Sequence, residues 1–148
     1  MAVKSVALVA HDNKKKELVE WVLANKTRFA NLTLYASGTT GRLLTERLKR
    51  DDIVCLLSGP LGGDQQIGAK IAEGKIDLLV FFWDPLEPQP HDPDIKALLR
   101  IATLWNIPLA CNRATAEFIL TSAYMTDDHH SPTRPDFSQY IGRKVASD

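Results

Sequence analysis

The chain has 148 residues, 45% of them hydrophobic, which suits one domain with a buried core that needs no disulfide or metal staple. Its 18 basic and 18 acidic side chains cancel, so no global field gathers nucleic acid or an anionic membrane, and any anion site must be local. No run approaches the ~20 apolar residues that cross a bilayer, and the start, Met1 to His11, is too short and ends too polar for a signal peptide, so a cytoplasmic protein is expected.

Apolar runs of strand length alternate with segments of helical period. Val6 to Ala10 reads as the first strand, and Leu18, Trp21, Val22 and Leu23 follow at helix spacing. Leu32 to Ala36 is the second, before a helix carrying Leu43, Leu44 and Leu48. Ile53 to Leu57 is the third, with a helix from about Asp64 to Glu73. Ile76 to Phe82 is the most hydrophobic strand, and Ile95, Leu98, Leu99 and Ile101 mark the helix after it. A short fifth strand, Pro108 to Cys111, leads to a helix from about Thr115 to Thr121. Cys55 and Cys111 each fall in a strand-like run, where a small buried thiol is the ordinary expectation and no disulfide framework is indicated. Near-continuous apolar strands separated by helices predict an α/β fold, a mostly parallel sheet covered on both faces. The residues form a single domain over 1–148, with a core at about 4–122. The tail beyond is polar and broken by Pro132, Pro135 and Asp136, with a short helix near Phe137 to Lys144 at most.

In an open parallel sheet, ligands bind outside the carboxyl ends of the strands, and the polar residues of this chain fall there. His11, Asp12 and Lys14-Lys15-Lys16 follow the first strand, and Ser37-Gly38-Thr39-Thr40-Gly41-Arg42 follow the second. The turn from Ser58 to Gly68 follows the third, and Asp84 and then His91-Asp92-Pro93-Asp94 follow the fourth. Cations are disfavoured in the first turn of a helix, so three successive lysines there suggest a nearby anion, although a solvated helix face would explain them too. Ser37 to Thr40 supplies hydroxyls and main-chain N–H groups of the kind that cradle phosphate oxygens, but it is not a P-loop. Capping alone explains only one of those hydroxyls. Asp64 in isolation reads as a helix N-cap, and Asp92-Pro93-Asp94 as N-cap, first-turn proline and dipole-friendly acid. His91 alone reads as a turn histidine, and His129-His130 as a solvated loop. The coincidence of two acidic turns and a histidine with phosphate-binding turns on one rim favours chemistry, because neighbouring carboxylates push their pKa values apart and supply both an acid and a base. No recognisable metal-ligand spacing is present, and no metal is expected.

These residues resemble the methylglyoxal synthase family. Val9-Ala10-His11-Asp12, Tyr35 to Gly41, Ser58 to Gly68, Asp84-Pro85, Pro90 to Asp94 and Asn106-Ile107-Pro108 match it in order and spacing over about residues 4–122. Gly-Pro-Leu-Gly-Gly-Asp-Gln-Gln is the most specific string. The resemblance implies a Rossmann-like, flavodoxin-related three-layer α/β/α fold with a five-stranded sheet, assembled as a homohexamer. It also implies cofactor-independent conversion of dihydroxyacetone phosphate to methylglyoxal and inorganic phosphate. By motif, Asp64 corresponds to the catalytic base, and His91 and Asp94 to the assisting histidine and second acid. His11, Lys15, Ser37, Gly38, Thr39, Thr40, Ser58 and Gly59 match the substrate and phosphate contacts. Asp12 and Asp84 are candidates for supporting roles. Relatives can place a C-terminal arginine on a neighbouring subunit's phosphate, and here Arg143 and Lys144 compete for that role. Inhibition by free phosphate is expected. Two other activities share these features: a regulatory ligand-binding module, and a sugar-phosphate isomerase using the same base.

Overall fold

The computed structural model describes residues 3–143. Within them the chain runs β1 (Ser5–Ala10), α1 (Lys15–Ala24), α2 (Lys26–Phe29), β2 (Thr33–Ser37), α3 (Gly38–Leu48), β3 (Val54–Leu56), α4 (Gly63–Ala72), β4 (Leu78–Phe82), α5 (Asp92–Leu104), β5 (Leu109–Ala110), α6 (Arg113–Thr121) and α7 (Ser138–Ile141). Short 3-10 turns at Asp12–Lys14 and Gly59–Leu61 lead into α1 and α4. The strands form one five-stranded sheet in the order β3-β2-β1-β4-β5, and every neighbouring pair is parallel.

That order reverses direction between β1 and β4, which makes the fold doubly wound and puts the topological switch point where these two strands end. Alternation along the strands builds a core on each face. Val6, Leu8 and Ala10 of β1, with Leu78, Val80 and Phe82 of β4, meet Leu18, Trp21 and Val22 of α1 and Leu44 of α3. Ala7, Val9, Leu79 and Phe81 face the other way, onto Ile67 and Ile71 of α4 and Ile95 and Leu98 of α5. The result is the expected three layers. Trp21 is sealed by Phe29 and Phe82 at ring-centroid distances of 5.5 and 5.7 Å. Each fully buried side chain of this size contributes roughly 1.5–3 kcal/mol, so packing, more than helix propensity, holds the rim turns in place.

Two expectations fail at the sheet edge and beyond it. Cys55 is exposed and Cys111 only half-buried. β3 is an edge strand with one neighbour, which leaves Val54 and Cys55 uncovered, and β5 ends before residue 111. Both outer strands are shorter than their apolar runs, because an outermost position pairs on one side only. In the tail, α7 is shorter than expected, and its predicted end at Lys144 lies outside the described residues. Among the described residues no helix is long and apolar enough to cross a membrane.

Candidate active site

A cleft of about 90 Å³ opens at the switch point and is lined by residues that include His11, Lys15, Ser37, Ser58, Asp64 and His91. Asp12, Gly38 and Gly59 also stand in its wall. The turns after β1, β2, β3 and β4 therefore converge as the sequence predicts.

Asp64 is not a helix cap. It sits one residue inside α4, whose N-cap is Gly62, and caps nothing with its side chain. The residue is 3% exposed, and its Oδ2 is buried without a hydrogen-bond partner. Burial, with a smaller push from the Asp94 charge, holds its carboxyl above the usual carboxylate range, against an opposing pull from His91. His91 Nε2 stands 3.6 Å from that oxygen, and its Nδ1 is likewise buried and unpartnered. His91 itself, rather than Asp92, is the N-cap residue of α5, where it is 9% exposed instead of lying in an open turn. The helix thus begins one residue earlier than the Asp92-Pro93 signature suggests.

Gly59 makes this pairing possible. A Cβ there would lie 2.8 Å from His91 Nε2 and 3.1 Å from Asp64 Oδ2, so any side chain would wedge into the pair. Gly63 is needed for a different reason: a Cβ there would collide with the Leu57 carbonyl, next to the Ser58 carbonyl that closes the turn by accepting the Leu61 and Gly63 N–H groups at 3.0 and 2.9 Å. Leu57 is also held by its N–H, which donates to Gln66 Oε1 at 2.9 Å.

His11 leaves the end of β1 with its main-chain N–H on the Phe82 carbonyl at 3.2 Å. The Asp84 main-chain N–H donates to His11 Nδ1 at 3.0 Å. A ring nitrogen that accepts cannot also carry hydrogen, so the neutral ring bears its proton on Nε2. Burial first, and the neighbouring His91 second, lower the His11 pKa and keep it neutral. Its Nε2–H has no protein partner and is an unspent donor at the cleft wall. Asp84 is fixed in turn by Asn13 Nδ2 at 3.0 Å and by the Leu86 N–H at 3.1 Å, which together hold its carboxyl below the usual range.

Lys15 supplies the cation. Its Nζ donates to Asp12 Oδ1 at 2.7 Å, and the lysine side chain is only 22% exposed. Asp12 thus aims Lys15 and is itself pulled below the ordinary carboxylate range by that bond. Ser37 is the N-cap residue of α3, yet its hydroxyl makes no cap bond. Thr40 Oγ1 is buried without a partner. Two hydroxyls that capping could have consumed are therefore unspent, at a helix N-terminus that already favours an anion.

Thr40 is fully buried and does not line the cleft, and three further expected residues lie elsewhere. Thr39 is exposed in the first turn of α3 and does not line the cleft. Asp94 lines a groove between α4 and α5 that it shares with Asp64, and acts on Asp64 through charge. Arg143 is exposed, donates to the Tyr140 carbonyl at 2.7 Å and stacks on the Tyr140 ring at 3.8 Å, away from this chain's own cleft. Lys144 lies outside the described residues. Sequence reasoning missed Asn13, Phe81 and Gln89, the first as a buttress of Asp84 and the others in the cleft wall. Asn13 sits two residues beyond His11 and could have been flagged by that proximity; the other two carry no local signal. Among the described residues, no three His, Cys, Asp or Glu side chains converge as metal ligands would.

Residues 17–111 match the family model described as MGS-like domain. The chain is 60% identical over 143 residues to the methylglyoxal synthase of Hahella chejuensis, covering 97% of this chain and 92% of that one. It is 52% identical to the Coxiella burnetii enzyme of the same name, covering 98% of this chain and all of the other. Its structure superposes on the crystal structure of methylglyoxal synthase from Elizabethkingia anophelis with a TM-score of 0.84 and 44% identity, over 99% of this chain and 95% of that one. By family model, by identity over nearly its whole length and by fold, the chain belongs to the methylglyoxal synthase family.

Proposed function

We propose that this chain is a carbon–oxygen lyase that converts dihydroxyacetone phosphate to methylglyoxal and inorganic phosphate. The observation that carries the reading is Asp64: a buried carboxylate with an unpartnered oxygen, 3.6 Å from His91, in a cleft otherwise furnished for an anion. Lys15 and the hydroxyls of Ser37, Thr40 and Ser58 hold the phosphate, with the N-terminus of α3 behind them. Asp64 takes a proton from the hydroxymethyl carbon, and the C–H electron pair becomes the double bond of an enediolate. The oxygen charge that develops is met by N–H donors: His11 Nε2, held in that tautomer by the Asp84 N–H, together with His91 and the Gly59 main chain. The enediolate then expels phosphate with the C–O electron pair. The enol left behind takes a proton at its methylene carbon and becomes methylglyoxal. Asp94 tunes Asp64 by its charge, and Asp12 keeps Lys15 in place.

Acid, base and anion donors all come from side chains and backbone, so the reaction as written uses no cofactor. We read the enzyme as a cytoplasmic homohexamer inhibited by inorganic phosphate, since the product fits the same cradle. In that assembly Arg143 or Lys144 reaches a neighbouring subunit's phosphate, a reading supported by the position of Arg143 away from its own cleft. The test is incubation with dihydroxyacetone phosphate and a chelator, followed by assay of methylglyoxal, phosphate and glyceraldehyde phosphate. Methylglyoxal with equimolar phosphate is expected. Glyceraldehyde phosphate alone would select an isomerase, and no turnover would select a sensory module.

A further inference from the structure

A hollow of about 580 Å³, larger than the cleft just described, lies at the opposite pole of the sheet. Its floor is the amino ends of the strands: Ser5 opens β1, Thr33 opens β2, Asp77 precedes β4 and Pro108 precedes β5. The volume is that of a small-molecule site. Tyr35, Trp105, Ile107 and Pro108 give it flat, apolar surfaces, while Lys4, Lys75 and Arg134 bring three cations against a single acidic side chain, Asp77. That acid is already engaged, since its Oδ2 accepts the Lys4 and Ser5 N–H groups at 2.9 and 3.2 Å and the Ser5 hydroxyl at 3.3 Å. Among the lining side chains this is a positive excess, reduced by Glu73, which pairs with Lys75, and by the charge of Asp128 near Lys4.

The cations divide into one that builds the wall and two that are exposed at its edge. Arg134 Nη2 donates to the Ile71 and Ala72 carbonyls at 2.7 Å each, and its guanidinium stacks 4.3 Å above the Trp105 ring. Asn106 holds the Thr133 carbonyl at 2.9 Å beside it, so residues 131–134 form a docked rim. Lys4 is exposed. Lys75 pairs only with Glu73, across a contact that is more than half exposed on both sides; such a pair exchanges partners at little cost. The Ser5 hydroxyl bonds the Lys75 carbonyl at 2.5 Å, which brings the Lys4 and Lys75 backbones together. The large exposed apolar side chains that a subunit interface would cover, Leu57, Leu61, Leu86 and Phe118 among them, all lie outside the hollow.

We propose that this hollow is a second ligand site, for a small organic anion carrying a flat ring. The ring lies against Tyr35 and Trp105, and the anionic group lies between Lys4 and Lys75. Because residues 131–134 form its rim, such a ligand also holds the tail against the ends of α4 and α5.

Adenosine monophosphate is a suitable probe for the full chain, read by titration calorimetry. Saturable binding is expected, weakened by at least about tenfold in Lys4→Glu/Lys75→Glu and unchanged in Lys15→Glu, which disables the cleft at the other pole. Lys4→Gln/Lys75→Gln should weaken binding in the same direction, and it serves as the readout if the charge-reversed chain does not fold by circular dichroism. No saturation up to about 10 mM, or loss of binding in Lys15→Glu instead, overturns the proposal. So does a lysine variant that changes sedimentation while leaving binding intact, since that places a second copy of the chain in the hollow. None of these readouts depends on turnover, so the test stands apart from that of the proposed lyase activity.

Discussion

Replacing Asp64 by Asn separates the catalytic demand on this residue from its cost to the fold. The shapes are alike, but the amide cannot accept the proton. Losing a general base lowers the rate by about 10²–10⁴-fold, or about 2.7–5.4 kcal/mol at 1.36 kcal/mol per tenfold. Stability should move the other way. Burial raises the Asp64 pKa above its unfolded value, so the folded state binds this proton more tightly than the unfolded chain does. Its contribution is then fully present below the ordinary carboxylate pKa and is lost as pH rises through the raised value. Above that raised value the wild-type chain carries a buried charge that Asn removes. A gain of about 1 kcal/mol corresponds to about 2–4 °C for a chain of this length. Turnover of dihydroxyacetone phosphate and thermal melts at pH 7 and at about pH 3.5, below the ordinary carboxylate value, check both halves. The melting-temperature advantage of Asp64→Asn should shrink at the lower pH. Near-normal turnover would remove Asp64 from the role of base, and a lower melting point than wild type at pH 7 would refute the argument from burial.

The remaining predictions concern its neighbours. Gly59→Ala should fold, because the Cβ meets side-chain tips rather than backbone, yet it should lose about tenfold or more in kcat by prising His91 from Asp64; wild-type kcat would show that the pairing is not needed. Lys15→Ala should raise KM and the inhibition constant for phosphate together, by about tenfold, or ~1.4 kcal/mol, with kcat less affected; a pure kcat loss would assign Lys15 to the chemical step. His11 has a folded pKa lowered by burial, so the stability it contributes is present above about pH 6.5 and is lost as pH falls through the lower folded value. Melting curves from pH 7.5 to about 5 should show that decline in the wild type and a flatter profile in His11→Gln; parallel profiles would refute the assignment.

The layered fold was legible because parallel strands buried on both faces must be apolar throughout, and the runs at 6–10 and 76–82 leave few other readings. The converging turns were legible for a topological reason: a parallel sheet sends every strand's outgoing turn to the same rim. What failed depended on neighbours that local pattern does not name. Cys55 lies in an apolar run, but its burial hinges on whether a strand pairs on one side or two. The caps of α4 and α5 shifted because Gly62, with φ of 111°, and His91 take positions that composition assigns to Asp64 and Asp92. Thr39 and Asp94 belong to matching motifs, yet helix rotation turns them from the cleft wall. The hollow at the amino ends is built by contacts more than 60 residues apart in sequence, such as Arg134 on Ile71, and nothing local announces it.

The bond from the Asp84 N–H to His11 Nδ1 belongs to the peptide unit and not to a side chain. Exchanging residue 84 for alanine, asparagine or glutamate deletes its carboxylate but keeps that donor, so a conventional mutational scan reports only on the carboxylate. The choice of tautomer, and with it which atom of His11 is left to donate a hydrogen bond, is written into chain geometry. Proline at position 84 removes the hydrogen, and an ester in place of that amide does so without altering any side chain. A comparison of Asp84→Ala with such an ester separates two contributions that share one residue number.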